Sequence, residues 1–196
     1  MHVITKARSD EGSTLIEMLV VVMLLAVVGG ILTDAMIKGM QNTRQLQNRD
    51  YSNEALQKGV ERIARDLRVA DPIQAASATS ITVDLYQGSS SSPCVRRTWS
   101  LTSGTLTSTT VTYSTWSACS VYPATATPTS TITKTELSSV NNSTVFTYVD
   151  SSGTSLSSPT PSRIAGVHIS ISQAGSENRA GLSYDTSVGV RNETFS

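Results

Sequence analysis

The sequence predicts an α+β protein, a long N-terminal helix packed on an antiparallel β-sheet. Three observations carry this. An apolar run opens the chain, and a 3.6-residue apolar stripe continues from it. Beyond Pro72 the apolar residues alternate in short strands punctuated by Gly, Ser and Pro. At 196 residues there is room for one globular domain plus an extended element. Formal charge is zero, from 15 basic and 15 acidic residues, and aromatics are 5%. Neither supplies the basic, aromatic-interleaved surface that nucleic acid requires, so no nucleic-acid partner is expected.

Residues 1–12 form a polar leader with Lys6, Arg8, Asp10 and Glu11. From Leu15 to Leu32 the chain is apolar except for Glu17, a stretch about as long as the shortest spanning helices. It exceeds an ordinary signal-peptide core, and no A-x-A-like cleavage site follows, so a membrane span is the better expectation. A carboxylate within a span costs several kcal/mol, on the order of 2.5–3.5 at its centre, and a chain that keeps one has a use for it. Lys6 and Arg8 before the run balance Lys38 and Arg44 after it, which leaves orientation open.

Leu56, Val60, Ile63 and Leu67 then mark one face of a helix. Glu54–Lys58, Glu61–Arg65 and Arg62–Asp66 are spaced as i,i+4 ion pairs, and Arg62, Arg65 and Arg68 read as a solvated flank. Gly39 and Gly59 weaken the helix without ending it. Asp71-Pro72 stops it, because a residue before proline is pushed out of the α region. One helix is therefore expected from about Thr14 to Ala70, its first half in lipid and its stripe on a sheet.

Strands are expected at residues 81–86, Val95–Leu101, Thr105–Tyr113, Ile132–Leu137, Thr144–Val149, Ile164–Ser172 and Leu182–Val190. The first reads as half-buried, with Ile81, Val83 and Leu85 on one face. Thr102-Ser103-Gly104 suits a hairpin loop, and Asp150-Ser151-Ser152-Gly153 a turn. Residues 88–93, 116–130 and 155–162 read as loops. Roughly two in five residues after Pro72 are Ser or Thr, a composition that suits a solvent-washed sheet. Cys94 and Cys119 are either a disulfide, favoured if this part is exported and worth about 3 kcal/mol for its loop length, or two free thiols.

Gly12-Ser13-Thr14-Leu15-Ile16-Glu17 followed by an apolar run resembles the processing motif of type IV prepilins and type II secretion pseudopilins. The resemblance implies the pilin fold and a division into a leader at 1–12, a filament-core half-helix at 13–33, an amphipathic half-helix at 34–71 and an exported β-rich domain at 72–196. It also implies cleavage by a prepilin peptidase between Gly12 and Ser13, and N-methylation of Ser13. Glu17 would then be the fifth mature residue, paired with the freed amine of a neighbouring subunit. Two features depart from the common pattern: Ser13 stands where phenylalanine is usual, and Asp10-Glu11 where basic residues are. The run from Leu56 to Ala70, with Arg62-Ile63-Ala64-Arg65-Asp66-Leu67-Arg68-Val69-Ala70 at its core, is similar to the helix end of J-type minor pseudopilins and W-type minor pilins. Residues Ser187–Asn192 are similar to their last strand.

The resemblance therefore implies a non-enzymatic minor subunit of a type IV pilus or secretion pseudopilus, priming assembly or sitting in a tip complex. Its expected partners are other pilin subunits, the peptidase and the inner-membrane assembly platform. Its place would be the bacterial inner membrane and then the cell surface or periplasm. An alternative is a membrane-anchored binding module, an adhesin or DNA-uptake receptor, working through the exported sheet. Catalysis has no constellation to support it, with no metal-ligand spacing, P-loop or nucleophile elbow, and no cofactor is expected. His2 lies in the leader and His168 on the polar side of a strand. Some members of the family hold calcium in a C-terminal loop, but Asp150, Asp185 and Glu193 are too scattered to form a site. Asn141, Asn142 and Asn192 head sequons that a Ser/Thr-rich chain produces by chance.

Overall fold

A computed structural model of the chain describes residues 11–85, 92–119, 122–174 and 181–190. It divides into two units, Met1–Tyr51 and Ser52–Ser196. Helix α1, Glu11–Val69, supplies the first unit and opens the second. It is continuous, and Gly29, Gly30 and Gly39 leave it intact. Thr33 and Thr43 turn their hydroxyls back onto the carbonyls of Gly29 and Gly39, at 2.8 and 3.0 Å, which satisfies both polar groups within the helix. Asp34 and Lys38 pair at 2.6 Å on its exposed surface.

In the second unit Leu56, Val60, Ile63 and Leu67 are fully buried, so the predicted stripe is core. Each such aliphatic side chain removed from water contributes roughly 1.5–3 kcal/mol. Where one sheet was expected, there are two. The larger runs in the order β1 (Ala70–Ala76), β2 (Ser80–Leu85), β3 (Cys94–Thr102), β4 (Thr105–Tyr113) and β5 (Ser130–Leu137). The smaller comprises β6 (Phe146–Val149), β7 (Gly166–Gln173) and β8 (Leu182–Gly189). All pairings are antiparallel. Core side chains from both sheets, among them Trp99, Leu106, Phe146, Tyr148, Ile169 and Ile171, form one cluster with the α1 stripe. The sheets are joined by Val145 and Phe146 N–H groups on the Ala78 carbonyl and by the Tyr148 hydroxyl on the Ser77 carbonyl. Burial pushes the Tyr148 phenol well above its ordinary pKa.

The helix ends at Val69, one residue short of the expected Ala70, and the chain enters β1 directly. Pro72 sits where the β1–β2 register shifts, on an edge strand, which is where a residue lacking an N–H is tolerated. Strand β1 was not predicted because Asp71-Pro72 reads locally as a stop. Strand β2 is buried on both faces, not half-buried: Ile81 and Val83 are covered, and so are Thr82 and Asp84. The β3–β4 hairpin turns on Ser103 and Gly104, both at positive φ (48° and 73°), the backbone that a two-residue primed turn needs. Hydroxyl pairs Thr82–Thr98, Ser100–Thr107 and Thr109–Thr133, at 3.0 to 3.1 Å, account for part of the Ser/Thr excess as cross-strand contacts. Asp150–Gly153 forms the predicted turn. The Asp150 carboxylate accepts from the Ser152 hydroxyl and the Thr154 and Ser152 N–H groups, which holds its pKa below the ordinary value.

One of the three predicted helix ion pairs, Arg62–Asp66, is replaced by tertiary ones. Glu54–Lys58 forms at 2.6 Å. Arg62 instead reaches Glu136 of β5 at 2.7 Å. Asp66 receives Arg97 at 2.8 and 2.9 Å and the Trp99 indole N–H at 3.0 Å. Glu61 and Arg65 are exposed. Gly59 faces β5, and a Cβ there would lie 3.1 Å from Leu137 Cδ1, so glycine permits the close helix–sheet approach.

Candidate functional site

The candidate site is the start of α1. Gly12 and Ser13 lie in its first turn, and Glu17 follows Ser13 by four residues, one turn along the same helix face. Glu17 is exposed and is the single ionisable residue between Ser13 and Thr33. Around it Leu15, Ile16, Met18 and Leu19 are 62–71% exposed. The segment Leu15–Arg44 has no buried residue, and its most apolar 18 residues have a mean hydropathy of 2.8. A helix apolar on every side and bare of protein is at rest only in lipid or in a bundle of like helices. In either, an unpartnered Glu17 is penalised and a cationic partner for it is selected.

The candidates in the second unit fall elsewhere. Cys94 and Cys119 are disulfide-bonded, with Cα atoms 6.2 Å apart, and both are buried. The bridge joins the start of β3 to a short 3-10 turn, Trp116–Cys119, and pins the segment after β4 across the sheet. Beneath it lies a pair that sequence reasoning missed. Arg96 donates from Nε to Asp84 Oδ1 at 2.7 Å, and from Nη2 to Oδ2 at 3.0 Å and to the Cys119 carbonyl at 2.7 Å. Gln74 donates to the same carboxylate, and the rings of Tyr113 and Tyr122 stand 5.9 and 5.1 Å from the guanidinium. Burial alone disfavours the Arg96 charge, but the Asp84 hydrogen bond and charge outweigh it and raise its pKa above the ordinary value. The available signal was the β2–β3 register, which sets Asp84 opposite Arg96.

Asp84 lies with Cys94 and Cys119 in a compact group of potential ligand atoms. The sulfurs are bonded to each other and the carboxylate is taken by Arg96, so the group is not a metal centre. His168 is on the polar face of β7 as predicted, with Nδ1 3.0 Å from Ser187 Oγ and Nε2 3.8 Å from Asp185. The imidazole and carboxylate are 44% and 54% exposed, so water competes for both contacts and no buried base is created. Asp150 and Asp185 do not converge: Asp150 faces Arg163 at 3.8 Å, while Asp185 faces His168. Asn141 and Asn142 are used structurally, hydrogen-bonding Ser172 of β7. Glu193, Asn192, Arg191 and the N-terminal residues His2, Lys6, Arg8 and Asp10 lie outside the described residues.

Fold and site together define a membrane-anchored α+β protein whose anchor is one half of a longer helix. Residues 7–33 match the family described as the prokaryotic N-terminal methylation motif, a type IV prepilin-like motif, and the match spans Gly12, Ser13, Glu17 and the apolar run. This supports the pilin and pseudopilin family and, with it, assembly into a filament with other subunits. No curated protein and no solved structure matches the chain.

Proposed function

We propose that the chain is a minor subunit of a type IV pilus or type II secretion pseudopilus, of the J- or W-type, that primes assembly or sits in a tip complex. The observation that carries this is Glu17, a lone carboxylate at the start of a fully exposed apolar helix within a matched methylation motif. Prepilin peptidase cuts between Gly12 and Ser13 and Ser13 is N-methylated. The chain waits in the inner membrane until the assembly platform draws it into the filament. In the apolar filament core Glu17 pairs with the Ser13 amine of a neighbouring subunit. Such a pair gains little net energy against an apolar one, but a subunit out of register leaves a charge buried and unpaired, so the pair fixes register. The Cys94–Cys119 disulfide agrees with an exported, oxidising location.

Mass spectrometry of the mature protein should find a methylated Ser13 as the first residue. Glu17→Ala should leave membrane insertion intact and deplete the protein from sheared filaments. An intact leader in cells with active peptidase refutes the assignment, and equal recovery of Glu17→Ala and wild type refutes the register role of Glu17.

A further inference from the structure

We propose that a groove between α1 and β8 receives carboxylate side chains of an adjoining filament subunit, an inference that rests on the filament assignment. Most cations described in the second unit already have an acidic partner: Lys58 has Glu54, Arg62 has Glu136, Arg96 has Asp84, Arg97 has Asp66 and Arg163 has Asp150. Among the described residues of that unit Arg65, Arg68 and Lys134 have none. Lys134 stands by itself on β5, whereas Arg65 and Arg68, three residues apart on one helix face, line the same groove of about 330 Å³.

The groove has a built character. Its floor includes buried Ala64, and its far wall is Tyr184 and Thr186, whose positions on β8 alternate with exposed Ser183, Asp185 and Ser187. Two arginines and two hydroxyl-bearing residues therefore line one concave surface. Guanidinium is the group that clamps a carboxylate through two parallel hydrogen bonds, and neighbouring hydroxyls can donate to the remaining lone pairs.

The charge count selects the occupant. Glu61 also lines the groove, so the set carries one net positive charge. A polyanion such as nucleic acid needs a run of cations to displace its counterions, and this site offers no such run. One or two protein carboxylates fit, while Glu61 repels an acidic partner seated one helical turn too early. Complementary charge of this kind fixes register and partner choice more than raw affinity.

The test uses the full-length chain in cells that make the filament. Arg65→Glu/Arg68→Glu should lower recovery in sheared filaments at least about tenfold, with membrane level and Cys94–Cys119 oxidation unchanged. Arg65→Lys/Arg68→Lys should assemble, and carbodiimide should then link the introduced amines to an Asp or Glu of another subunit, identified by mass spectrometry. Wild-type recovery of the charge-reversed protein, or links solely to carboxylates of the same chain such as Glu61, overturns the groove assignment. Wild-type protein, run alongside, separates the two ideas. If it is recovered in sheared filaments and the charge-reversed variant enters equally well, the groove fails alone; if the wild type itself is absent from them, the filament assignment fails and the groove with it.

Discussion

Replacing Arg96 by methionine tests how the β-rich unit is held under its disulfide. The substitution keeps an unbranched stem but removes the two donors to Asp84 and the one to the Cys119 carbonyl. Asp84, 1% exposed, keeps Gln74 Nε2 as a side-chain donor, and a buried carboxylate with its countercharge deleted costs about 3–5 kcal/mol. For a unit of this size that lowers Tm by roughly 6 to 20 °C. Asp84→Leu/Arg96→Met removes both charges and should recover most of the loss, since the pair itself contributes little beyond its apolar replacement. Urea unfolding of the full-length protein in mild detergent, followed through buried Trp99, measures both variants. A cost below about 1 kcal/mol for Arg96→Met, or a double variant no better than the single, refutes the claim that charge burial governs this site.

Cys94→Ser/Cys119→Ser opens a 25-residue separation and should cost about 3 kcal/mol, read as a lower urea midpoint that matches reduced wild type. Gly59→Val places a branched side chain where Cβ alone comes within 3.1 Å of Leu137, and should destabilise by about 1–3 kcal/mol; an unchanged midpoint would disprove the close-approach argument. Asp150 has a folded pKa below its unfolded value, so its contribution is present above the unfolded pKa and lost as pH falls through the folded one. The stability gap between wild type and Asp150→Asn should therefore be full at neutral pH and close in acid below about pH 4, and a gap independent of pH contradicts this.

What could be foreseen and what could not divide by the range of the forces involved. The α1 stripe, the Ser103-Gly104 turn and most strand positions follow from periodicity and backbone preference, which act over a few residues. Strand β1 was hidden because Pro72 ends a helix locally whether or not an edge strand lies beyond it. Arg62 and Asp66 satisfied the i,i+4 rule on paper, yet each found a partner on the sheet. A contact made by neighbouring strands displaces a surface pair worth a few tenths of a kcal/mol.

The sequence by itself determined the N-terminal motif, the membrane-length run and the lone Glu17, because composition and spacing along one helix suffice to specify them. It also put two cysteines within reach of a disulfide without closing it. Only the tertiary structure joined Cys94 to Cys119, buried Asp84 against Arg96 beneath that bridge, split the strands into two sheets and left Arg65 and Arg68 facing one groove. Each of these depends on which strands lie side by side, and that is settled by burial of the shared core, not by the chain's local preferences.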